Sequence, residues 1–218
     1  MSPWTAARDL LMAVAFLAIW YFYFLRYNRK RAKNILQWIS GVSAGHANVR
    51  SVRWDSRSHF QVKLQLRSHC FHNGTMAVQL YAREMPLKWL LSRYRAEQET
   101  LTFEADLDCA PSFSLEVHNY RWQNKPSRKA TLQPERLKLV RTGPVVLTTR
   151  GDWQQDLTNM MNGLMASRDC NFETVTFRRR SPHFSAIVPL QFLNREDSGS
   201  HLFEALQELA TGASAAMF

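Results

Sequence analysis

The sequence predicts an α+β protein: an N-terminal single transmembrane helix followed by an antiparallel-sheet-rich domain with two C-terminal helices. Three observations carry that expectation. The run 10-LLMAVAFLAIWYFYFL-25 contains no charged side chain. From about residue 48 apolar and polar residues alternate with period two, as strands with one dry and one wet face require. Towards the C-terminus the spacing returns to that of amphipathic helices.

The apolar run alone reaches about 24 Å as a helix, short of the ~30 Å hydrocarbon core of a bilayer. Extended from Trp4 to Tyr27 it reaches about 36 Å, with Trp20, Tyr21, Tyr23 and Tyr27 towards one interface. A cleaved signal peptide needs basic residues before the run. Here Arg8 is offset by Asp9, whereas 26-RYNRKRAK-33 places five basic residues and no acid after it. Lys and Arg beside a span stay on the cytoplasmic side. The expected layout is a transmembrane anchor at 1–28, a basic juxtamembrane amphipathic helix at 29–46 and a soluble α+β domain at 47–218. The expected localisation is a single-pass membrane protein with its N-terminus outside and its C-terminal domain cytoplasmic.

In the juxtamembrane segment Ile35, Trp38, Ile39 and Val42 share a helical face that suits packing on the domain, and Gly41 and Gly45 are expected to end it. Strands follow at 49–54, 59–67, 76–83, 100–108 and 112–122, which predict a meander of about five strands. Asn73-Gly74 between two alternating runs predicts a hairpin turn. The segment 86-PLKWLLSRY-94 predicts a short helix opened by Pro86. Residues 123–138 read as an exposed basic loop and 144–149 as a buried strand. A helix at 152–167 follows, with Asp152 as cap and Trp153, Leu157, Met160, Met161, Leu164 and Met165 on one face. Strands at 171–178 and 183–192, turning at Ser181-Pro182, and a helix at about 200–211 complete the chain.

Half of the net charge of +10 sits on the short flank at 26–33, since residues 34–218 hold 22 basic against 17 acidic side chains. Such an excess beside a bilayer suits anionic headgroups, at about 1 kcal/mol per well-placed cation, and no motif supports nucleic-acid binding. Candidate anionic-surface residues are Arg29, Lys30, Arg31 and Lys33 on the flank, Arg128 and Lys129 in the basic loop, and Arg178, Arg179 and Arg180 at a strand end. Cys70, Cys109 and Cys170 form an odd, sparse set that suits a reducing compartment.

Four patterns invite a chemical reading. The string 41-GVSAG-45 fits the G-x-S-x-G form of a hydrolase elbow with Ser43 as nucleophile, but that elbow needs a strand before it and a helix after. Here a helix precedes and a strand follows. Glu104, Asp106 and Asp108 line one face of a strand and can hold a hard cation, although pairing with Lys63 and Arg67 across a wet face is the simpler expectation. The segment 66-LRSHCFHNGT-75 offers His69, Cys70 and His72, one ligand short of a structural zinc site unless Cys109 or His118 joins. Its sequon at Asn73 is expected to be silent in the cytoplasm. No cofactor fingerprint is present in the sequence.

The functional expectation is therefore a membrane-anchored protein with a cytoplasmic non-catalytic interaction or assembly domain, using a protein partner or a second copy of itself. The alternatives are a peripheral module for anionic lipid or phosphate ligands, and a membrane-tethered hydrolase built on Ser43.

Overall fold

The computed structural model of the chain describes residues 3–43, 45–67, 70–111, 114–119, 138–142, 145–149, 172–192 and 198–215. The predicted helix at 152–167, most of the basic loop with Arg128 and Lys129, and His69 and Cys170 lie outside the described residues.

Helix α1 runs without interruption from Pro3 to Ser43, about 60 Å at 1.5 Å per residue. Its outer half is exposed on every side from Trp4 to Ile19, and it is the one described helix long and apolar enough to cross a membrane. Its inner half is different: Asn28, Ala32, Ile39 and Ser43 are buried, and Ile35, Leu36, Trp38 and Val42 pack against the core. The spacing of these residues is that of one helical stripe. The predicted anchor and the predicted juxtamembrane segment are thus one helix whose surroundings change near residue 28. Gly41 does not end it, because a glycine costs a helix only about 1 kcal/mol while the apolar stripe continues to Val42.

Among the described residues nine strands form one sheet: β1 Ala47–Trp54, β2 His59–Leu66, β3 Phe71–Gln79, β4 Thr100–Leu107, β5 Leu115–Asn119, β6 Lys138–Thr142, β7 Val145–Thr149, β8 Thr174–Phe177 and β9 Phe184–Pro189. Their order is β1-β2-β3-β4-β9-β8-β5-β7-β6, and every pairing is antiparallel. The first four strands form the expected meander. The fifth does not join it, because the β8–β9 hairpin is inserted between β4 and β5. Strand β6, which the alternation did not single out, closes the far edge against β7.

Alternation sets which face of the meander is dry. Strand β4 buries Leu101, Phe103, Ala105 and Leu107, while the residues between them are only half buried. Opposite them stand Met76 and Val78 of β3 and Ala186 and Val188 of β9. Phe103 lies 5.6 Å from Phe71, 6.1 Å from Phe184 and 6.2 Å from Phe203, measured between ring centroids. Phe203 belongs to α3, Ser198–Ala215, which also buries Leu202, Ala205, Leu206 and Ala210 and packs beside α1. The inner half of α1 and α3 together form the helical layer of an α+β fold.

Asn73-Gly74 is not a hairpin turn. Strand β2 ends at Leu66 and β3 begins at Phe71, and Asn73 and Gly74 sit inside β3, where the register against β4 shifts between His72 and Thr75. Asn73 has φ 50°, the left-handed conformation that Asn tolerates and that a bulge requires. A Cβ on Gly74 would stand 2.6 Å from Leu66 Cδ1, so a larger residue there has to displace the end of that side chain. Asn-Gly suits the positive φ of a two-residue hairpin turn and equally that of a bulged residue, so the dipeptide alone misplaces the turn by a few residues.

Candidate functional site

The site is the junction between α1 and the segment 80–99, which includes α2, Pro86–Tyr94. The Asn28 amide donates to the Tyr81 carbonyl at 3.0 Å and to Glu84 Oε2 at 2.7 Å, and its own oxygen accepts from Arg83 Nη1 at 3.3 Å. Arg83 also pairs with Glu99 at 2.9 Å, and Arg31 Nη2 reaches the other oxygen of the same carboxylate at 2.6 Å. The Tyr81 amide donates to Glu99 at 3.2 Å. Asn28, Glu84 and Glu99 are all buried; both guanidinium cations pair with Glu99, and Glu84 accepts from the Asn28 amide. Low dielectric strengthens each such bond and raises the cost of leaving any member unpaired.

Aromatic side chains continue the junction along α1. The Trp20 indole donates to the Arg83 carbonyl at 3.0 Å and its ring lies 5.9 Å from Trp89 of α2. Arg83 stacks over Tyr27 and Tyr81 at 5.1 and 5.2 Å, and Arg57 stacks over Tyr21 at 5.2 Å. Tyr81 donates its hydroxyl to the Glu97 carbonyl. Burial, seconded by the Glu99 carboxylate, pushes the Tyr81 phenol above its ordinary value. Beside the junction a cleft of about 420 Å³ opens, with Ser56, Ser58, Ser92, Lys88 and Arg95 among its lining. The cleft is of mixed charge, since Arg95 faces Glu97 at 3.8 Å within the same lining.

The flank cations do not act alike. Arg29, Lys30 and Lys33 are exposed, whereas Arg31 is turned inward to Glu99. Arg178 closes the β8–β9 turn by donating its amide to the His183 carbonyl at 2.7 Å, and Arg179 and Arg180 are exposed beside it. That turn lies at the opposite end of the sheet from α2. Pro189 pairs with Thr100 at the α2 end, and β9 separates it from Phe184 by about 17 Å.

The acidic row on β4 does not pair with Lys63 and Arg67, because β3 lies between β2 and β4. Arg67 instead donates to Asn48 at 3.2 Å. Asp108 faces His72 at 2.9 Å, and Asp106 faces His183 at 3.7 Å. Burial raises the Asp106 carboxyl, but hydrogen bonds from Ser181 and Asn73 and the charge of His183 outweigh it and hold the carboxyl below its ordinary value. Among the described residues no three His, Cys, Asp or Glu side chains converge as a metal site. Cys70 Sγ lies 3.8 Å from Thr211 Oγ1.

Ser43 is the last residue of α1, and its hydroxyl donates to the Ile39 carbonyl at 2.6 Å. His46 stacks on Phe203, with ring centroids 5.6 Å apart. A helix therefore precedes the serine and β1 follows it.

No protein-family model matches the chain, and no curated protein matches it. The junction residues Asn28, Glu84 and Glu99 were not singled out by the sequence. The one local signal was an amide-bearing Asn28 within a run of cations.

Proposed function

We propose that this chain is a single-pass membrane protein whose α+β domain is held at the cytoplasmic face and acts as an assembly module, binding a protein partner without catalysis of its own. The continuity of α1 carries this reading: one helix supplies both an exposed apolar half and a stripe of the domain core, so no flexible linker separates span and domain. The buried junction around Asn28 and Glu99 supports it further by fixing the rotation of the domain about the helix. Five basic residues after the run support the cytoplasmic placement.

Labelling and cross-linking in native membranes test it. A Ser2→Cys variant should react from outside with an impermeant maleimide, and Cys109, which is exposed, should react after permeabilisation. The reverse pattern overturns the orientation. Cross-linking should yield a reproducible protein neighbour attached to the domain; turnover of a substrate by purified full-length protein would instead overturn the non-catalytic role.

A further inference from the structure

Helix α2 has nine residues, no side-chain cap on its N-terminus and no buried residue. A helix that short is marginal in water unless an apolar face is covered. Leu87, Leu90, Leu91 and Tyr94 fall at i, i+3, i+4 and i+7, one face, and that face points away from the domain: Leu87 is 82% and Tyr94 85% exposed. The opposite side is fixed to α1 through Trp89 and Trp20.

The level of that attachment identifies the occupant. Trp20 lies about 24 Å along the helix from Trp4, and a hydrocarbon core of ~30 Å entered near Trp4 ends a few residues beyond Trp20. Helix α2 is therefore held at the bilayer boundary. The β1–β2 turn is held there too, with Arg57 stacked on Tyr21 and Trp54 half exposed beside it. Residues 85–95 carry three basic side chains, Lys88, Arg93 and Arg95, and no acid. Arg93 stacks on Trp89 at 5.8 Å. Leucines on one face, aromatic rings at the rim and cations around them are the composition of a helix lying in an anionic membrane interface.

We propose that α2 is an interfacial membrane helix, with Leu87, Leu90, Leu91 and Tyr94 inserted into the cytoplasmic leaflet and Lys88, Arg93 and Arg95 on anionic phospholipid headgroups. The domain then rests on the bilayer at two points, the span and α2, and its tilt is set. This rests on the reading of α1 as a span.

The test places nitroxide labels at single cysteines in the full chain, with the three native cysteines changed to alanine, reconstituted in phosphatidylcholine vesicles with and without phosphatidylglycerol. Labels at Leu87→Cys and Leu90→Cys should show an oxygen-to-nickel collision ratio several-fold above that at Lys63→Cys on the wet face of β2. Phosphatidylglycerol should deepen them, and changing Lys88, Arg93 and Arg95 to Gln should remove that deepening. Aqueous readings at 87 and 90 beside a buried label at Leu11→Cys overturn the docking of α2 alone. An aqueous label at Leu11→Cys overturns the span and the docking with it. Depth indifferent to phosphatidylglycerol overturns the role of the three cations.

Discussion

Arg31 of α1 and Glu99, the residue before β4, meet at 2.6 Å, and the carboxylate they share with Arg83 is buried. Removing one partner of a buried pair leaves the others uncompensated, which costs about 3–5 kcal/mol where burial is complete. Arg31 is about one-third exposed, so water reduces the loss at that partner. Glu99→Ala is therefore expected to destabilise the full chain in detergent by about 3 kcal/mol, and Arg31→Ala by less. Chemical denaturation followed by tryptophan fluorescence measures both. An equal, small loss for the two would mean that solvent already satisfies the cluster.

Ala96 offers the opposite sign. The end of α2 closes with the Glu97 amide on the Ser92 carbonyl at 3.0 Å and the Ala96 amide on the Arg93 carbonyl at 3.1 Å, the two bonds of a Schellman cap. Such a cap wants glycine at the left-handed position, and Ala96 holds φ 51°. Ala96→Gly should stabilise the protein by about 1 kcal/mol, read as a raised urea midpoint at unchanged slope. A lower midpoint would show that α2 does not hold this cap in solution.

Much of the architecture was legible because its causes are local. Alternation placed β2 and β4 within a residue of their ends, and Pro86 placed the start of α2. Pairing is not local: nothing in the strand at 112–122 says that β8 and β9 will come between it and β4. The junction was hidden for the same reason, since Asn28, Glu84 and Glu99 are scattered through the sequence and each looks like a solvated side chain until packing buries it. The acidic row on β4 was visible, but its partners were not, because they depend on which strands lie next to it.

Asp106 should make stability depend on acid. Its folded carboxyl is held below the ordinary 3.8, so the unfolded chain takes up the proton first as pH falls. The stabilisation is fully present above that value and is lost as pH falls through the depressed folded value. Asp106→Asn removes the proton uptake. The stability difference between the wild-type chain and Asp106→Asn should be flat from about pH 6 to pH 5 and shrink towards about pH 3. Urea titrations of both chains across that range measure it, and a difference that grows in acid would contradict the sign.

Ser43 separates a structural hydroxyl from a catalytic one. Its proton goes to the Ile39 carbonyl one helical turn back, in a buried position. A nucleophile needs that proton shared with a base at hydrogen-bond distance, and the neighbouring His46 ring is instead stacked flat on Phe203. Back-bonding of this kind contributes about 1 kcal/mol or less, because the carbonyl it satisfies belongs to the last turn of a helix. Ser43→Ala should therefore lower stability by no more than about 1 kcal/mol and leave the pattern of cross-links in native membranes unchanged. An ester-hydrolysing activity in the purified wild-type chain that disappears in Ser43→Ala would reverse this assignment, and the end of α1 would then have to open for the serine to reach any substrate.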